Sequence, residues 1–95
     1  MKGRRIECDP RKDAINRRKH GLSLYDAQDF DWDGAVSGVS GKDRYGRLRR
    51  FAIGLYRDRV HVVIFSDLGT EALSIISFRR ADAKERKAYH DRNQP

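Results

Sequence analysis

One cysteine, two prolines, one tryptophan and one methionine are all that 95 residues contain of those types. A lone Cys8 makes neither an intramolecular disulfide nor a thiolate metal cluster, and it suits a reducing compartment, so a cytoplasmic location is expected. Long apolar runs are also missing. The longest, Val62 to Phe65, is far short of the roughly 20 residues of a membrane-spanning helix. The basic start MKGRRIECDP has no apolar stretch behind it, so neither export nor membrane insertion is expected. Repeats, low-complexity tracts and linkers rich in Pro, Gly or Ser are absent, and residues 1–95 read as one domain.

Acidic residues are the minority: 14 Asp and Glu against 21 Lys and Arg give a formal charge of +7 and a pI near 10.0. That excess favours a polyanionic partner over an acidic small molecule. The charges are also sorted. Bases dominate from Arg11 to His20, aspartates from Asp26 to Asp33, and GKDRYGRLRR is basic again. Sorting is compatible with a positive face, and equally with ordinary solvated positions.

The local grammar predicts an α+β chain. Arg4 to Cys8 reads as a short strand. A helix follows, with Asp9 as its cap, Pro10 at its first position and Gly21 closing it. Leu24 to Phe30 reads as a second short helix capped by Ser23, and Gly34 to Gly46 as an irregular strand or loop. Three runs, FAIGLY, VHVVIFS and ALSIISF, are joined by RDR and DLGTE, short enough for an antiparallel meander. The tail DAKERKAYHDR is helical, with Asp82 and Glu85 at capping-box spacing.

Several groups are candidates for chemistry. Asp29, Asp31 and Asp33 alternate as in a calcium loop, but the twelfth position is Ser40 where a bidentate Glu is needed, so no metal is expected. Of three histidines, His61 inside a strand reads as structural and His90 sits near a frayed end. His20, beside Lys19 at a helix terminus, fits either a capping role or proton transfer. Arg50 begins one strand while Arg79 and Arg80 end another, and the expectation is that these ends meet on one rim. Guanidinium forks there would bind phosphate and stabilise a phosphorane, or else simply reach into solvent. Glu71 is a candidate base or an arginine partner.

Two stretches resemble the BrnT-type toxins of bacterial type II toxin–antitoxin modules. Asp9, Lys12, Asn16, Lys19, His20 and Gly21 are similar to that family's N-terminal signature. Ile76, Ser77, Arg79, Ala81, Glu85, Arg86 and Tyr89 are similar to its ending, and Arg50 and Gly54 fit its middle strand. Leu68 and Ser74 stand where many members carry Arg, and Phe78 replaces the usual Ala. The resemblance implies a RelE-like fold, with a small antiparallel sheet backed by N-terminal and C-terminal helices. It implies a metal-independent ribonuclease without cofactors that cleaves RNA by 2′-hydroxyl attack and arrests translation. It further implies a cognate antitoxin, of ribbon-helix-helix type, through which alone the pair touches operator DNA. On this reading Arg50, Arg79 and Arg80 stabilise phosphate charge and His20 or Glu71 moves the proton. Arg18, Lys19, Arg47 and Tyr89 hold the RNA. The alternative is a toxin homologue that binds nucleic acid and antitoxin without catalysis.

Overall fold

The computed structural model describes residues 4–93. Its elements are β1 (Arg5–Cys8), α1 (Pro10–His20), a 3₁₀ helix (Leu24–Asp29), β2 (Val36–Lys42), β3 (Leu48–Tyr56), β4 (Arg59–Leu68), β5 (Ala72–Arg80) and α2 (Ala83–Arg92). The helix ends are set by their caps. Asp9 accepts from the Arg11 N–H at 2.8 Å, and Gly21, at φ 72°, returns its N–H to the Arg17 carbonyl at 2.9 Å. A side chain there would force the same left-handed backbone at a steric cost, which glycine avoids. Asp82 and Glu85 form a reciprocal capping box at the start of α2. Each such cap stabilises its helix by about 1 kcal/mol.

The strands form one sheet in the order β1-β5-β4-β3-β2, antiparallel except that β1 runs parallel to β5. The α+β expectation holds, and the irregular stretch after Gly34 is β2, an edge strand. Both faces of the sheet are covered. On one, Leu24 and Ala27 of the 3₁₀ helix and Phe30 just after it pack on Ala52, Val63 and Phe78. Gly54 is required there, because a Cβ at that position would lie 2.9 Å from the Phe30 ring. On the other face, Tyr89 and Ala81 pack on Ile53, Val60 and Val62. These contacts cover the Ile53–Val62 end of that face and leave the end carrying Arg49, Ser66 and Ser74 bordering an open groove.

β1 pairs with β5 only from Ala72 to Ile75. Beyond that point the Asn16 side chain of α1 takes the place of a neighbouring strand. Its amide donates to the Phe78 carbonyl at 2.8 Å and to the Leu22 carbonyl at 2.9 Å, and its oxygen accepts from the Phe78 N–H at 3.1 Å. A side-chain amide has the same donor and acceptor pair as a peptide, so it can close a strand edge that would otherwise be orphaned. Asp13, one turn earlier, accepts from the Leu24 N–H at 2.7 Å and the Ser23 hydroxyl at 2.9 Å. Burial alone would raise its pKa, but these bonds and Arg17 hold the carboxyl below its usual range. Together the two residues fix α1 against β5 and the 3₁₀ helix.

The β3–β4 turn carries two non-glycine residues in the left-handed region, Arg57 at φ 49° and Asp58 at φ 63°. Two-residue hairpins favour this backbone, but with Asn-Gly rather than Arg-Asp. Asp58→Gly is therefore expected to raise stability by about 0.5–1 kcal/mol. Urea unfolding followed by circular dichroism measures this, and no gain would mean that Asp58 sits there unstrained.

Candidate RNA-binding trough

Along α1, Lys12, Asn16 and Lys19 are spaced by four and three residues and so share one face. That face borders a hollow of about 210 Å³, lined also by Ile15, His20, Ile76 and Ser77. The hollow continues past Lys12 and Ile76 into a larger groove of about 590 Å³. The groove has Arg11 and Lys12 on one bank and Arg44, Tyr45 and Arg47 of the β2–β3 hairpin on the other. Arg49, Ser66 and Ser74 of the uncovered sheet line it as well. Its charge is predominantly positive, with Asp9 and Asp43 as the acidic members. Asp43 is engaged: it accepts from the N–H groups of Tyr45 and Arg47 at 2.9 Å each and from Arg47 Nε at 3.0 Å. Ser66 is 3% exposed, and its Oγ, like Arg49 Nε, is buried with no hydrogen-bond partner among the described residues.

At the α1 end, the His20 imidazole has its pKa lowered, first by partial burial and then by the positive charges of Arg79 and Lys19. Its neutral form is thus the one favoured near neutral pH, and a neutral imidazole accepts a proton. Arg79 is held by both carboxylate oxygens of Glu85, at 2.7 and 2.8 Å, which orients the guanidinium while leaving its side chain 31% exposed. The bond to Glu85 raises the Arg79 pKa and lowers that of Glu85, so the pair is fully ionised.

The structure does not gather the three arginines on one rim. Arg50 is opposite Phe65 of β4, whereas Arg79 and Arg80 are opposite Val62 and His61, about 10–13 Å further along that strand. β3 and β5 run in the same direction on either side of β4, so the start of one and the end of the other lie at opposite ends of the sheet. The faces differ too. Arg50 lies on the face of the 3₁₀ helix, where its Nε is 2.8 Å from Asp67 Oδ2, an ion-pair contact without hydrogen-bond alignment, and Arg4 holds the other oxygen at 2.9 Å. Arg79 lies on the α2 face. Arg80 borders a separate basic cluster with Arg57, Arg59 and Arg86 at the far end of the sheet.

Of the other expected residues, Glu71 is exposed at the β4–β5 turn, where its carbonyl accepts from the Arg5 N–H, and it lines neither hollow. Tyr89 is buried in the core under α2, so its ring is not available to hold RNA. Arg18 is exposed on α1 but lines neither hollow, while Lys19 lines the smaller and Arg47 the larger. His61 is 4% exposed, packed between Tyr56 and Phe78 with Nδ1 at 2.9 Å from the Arg59 carbonyl, a structural position. Sequence reasoning missed Lys12, Arg49, Tyr45, Ser66 and Ser74 as lining residues. The run GKDRYGRLRR carried a signal for the hairpin cations. Ser74 was marked only as a departure, standing where many members of the resembling family carry Arg, and nothing marked Ser66.

The profile of a family described as the ribonuclease toxin BrnT of a type II toxin–antitoxin system matches residues 8–85. Among solved structures, the fold is similar to the 1.1 Å crystal structure of the Brucella abortus ribonuclease toxin BrnT. The TM-score is 0.64 and the identity 33%, over 83% of this chain and 97% of that one. No curated protein sequence matches.

Proposed function

The chain belongs to the BrnT family of ribonuclease toxins of type II toxin–antitoxin systems, and from that premise we propose that it cleaves RNA within the trough bordered by α1. The observation that carries this reading is the positively lined groove that α1 shares with the β2–β3 hairpin, with His20 and Lys19 at its α1 end. His20 takes the proton of a ribose 2′-hydroxyl, whose oxygen attacks the adjacent phosphorus. The bond from phosphorus to the 5′-oxygen breaks, leaving a 2′,3′-cyclic phosphate and a 5′-hydroxyl that takes its proton from solvent. Arg79 and Lys19 stabilise the added negative charge on the phosphoryl oxygens. Lys12 and the hairpin arginines hold the rest of the strand. The step as written draws its base from an imidazole and its charge stabilisation from side-chain cations, so it is metal-independent.

In the cell this reading makes the protein an inhibitor of translation. A type II partner is an antitoxin protein, and we place it, as a ribbon-helix-helix protein, over the positive trough, where it excludes RNA and carries the pair to operator DNA. An acidic surface on the partner would complement the trough.

Incubation of purified protein with RNA in EDTA tests the proposal. New fragments ending in 2′,3′-cyclic phosphate are expected, with Arg79→Ala slower by about 10²-fold. Arg80→Ala, on the other face, is expected to change the rate by less than about threefold. Intact RNA retained in a salt-dependent manner would leave a binding protein instead.

A further inference from the structure

Tyr45 is the most exposed large apolar side chain of the described residues, at 74%, and it stands on the bank of the groove. An isolated exposed tyrosine needs no explanation, but this one is held. Asp43 fixes the turn by accepting from the Tyr45 and Arg47 N–H groups. Gly46, at φ 80°, closes it by donating to the Asp43 carbonyl at 3.0 Å. The guanidinium carbons of Arg44 and Arg47 lie 5.9 and 5.7 Å from the ring centroid. The result is an exposed aromatic ring on a pinned turn, in cation–π contact with two guanidinium groups. Arg49 and Ser66 line the same groove, and Arg49 Nε and Ser66 Oγ are buried there without partners among the described residues.

Resting on the reading of the trough as an RNA channel, we infer that Tyr45 is a stacking platform for one unpaired nucleobase of the substrate. Arg44 and Arg47 flank it at the phosphates. Stacking on an aromatic ring requires a base whose face is free, so the ligand is single-stranded RNA rather than a duplex. The chemistry is sequence-tolerant, since every base has a π-face. The subsite therefore selects strandedness and positions the chain relative to His20, without reading a codon.

The test uses a 2′-O-methyl RNA hexamer, which lacks the attacking hydroxyl and stays intact while binding is measured. A set of the same hexamers, each with one abasic position, and the corresponding duplex complete it. Tyr45→Ala is expected to weaken hexamer binding about tenfold, and Tyr45→Phe to stay within about twofold of the parent. One abasic hexamer should bind the parent about tenfold more weakly and be indifferent to Tyr45→Ala, and the duplex should bind about tenfold more weakly. Equal hexamer affinity for parent and Tyr45→Ala, or an equal loss in Tyr45→Phe, overturns the stacking role. No binding of any hexamer by the parent overturns this inference and the RNA channel together, which distinguishes the two failures.

Discussion

Asn16→Ala is expected to lower the unfolding free energy by about 3–5 kcal/mol, the largest stability loss of any single polar substitution considered. Asn16 is 4% exposed and makes three hydrogen bonds, two of them to the Phe78 peptide 62 positions away. Truncation leaves one N–H and two carbonyls unpaired at a site where water is largely excluded, and each such group costs about 1–3 kcal/mol. A domain of this size has only about 5–15 kcal/mol in total, so the melting temperature should fall by about 10–20 °C. Asn16→Asp should fare no better: a carboxylate accepts from the Phe78 N–H but cannot donate to the carbonyls, and it brings a charge into the core. Thermal denaturation with amide exchange at Phe78 is the measurement. A melting temperature within about 2 °C of the parent would mean that the strand edge is satisfied without the side-chain amide.

This residue shows what the sequence could and could not disclose. Asn16 belongs to the spacing that resembles the family signature, yet nothing local reveals that its partner is Phe78. Features governed by short-range rules were legible: Asp9 and Gly21 bound α1, Ser23 caps the 3₁₀ helix, and the capping box opens α2. So were β3 to β5, whose apolar runs and short connectors leave few alternatives. β2 was legible only as an irregular strand or loop, because Val36–Lys42 has little strand propensity of its own. It is a strand because β3 offers a pairing edge, and Gly38 leaves room for the Phe51 ring, which a Cβ would approach to 2.9 Å.

The candidate site divides in the same way. The basic segments around α1 and the β2–β3 hairpin were visible as charge, but their meeting across one groove depends on β1 pairing in parallel with β5 at the far side of the sheet. The expected meeting of Arg50 with Arg79 and Arg80 failed on strand direction, and for Arg79 also on the face of the sheet. Tyr89 failed because α2 covers the Ile53, Val60 and Val62 part of its sheet face, which turns the Tyr89 ring into the core and leaves it no face for RNA.

His20→Gln is expected to reduce RNA cleavage by about 10²–10⁴-fold at neutral pH while leaving the fold intact. The sign of the pKa shift separates the two roles open to this residue. A histidine stabilises a helix C-terminus through its positive form, but desolvation, Arg79 and Lys19 push the His20 pKa below 6.5, so near pH 7 the ring is neutral and contributes little to the cap. The melting temperature at pH 7 should therefore be unchanged in the variant. A group whose folded pKa is depressed favours unfolding as pH falls through its unfolded value, so the parent should lose some stability below about pH 6.5 that the variant keeps. Catalysis follows the same titration. The parent's kcat/KM should be flat near neutrality and fall about tenfold per pH unit below the lowered pKa, and that acidic limb should vanish with the imidazole. A variant that retains both the rate and the limb would remove the proton acceptor from the trough. A variant that loses stability at pH 7 with unchanged cleavage would return His20 to the helix end alone.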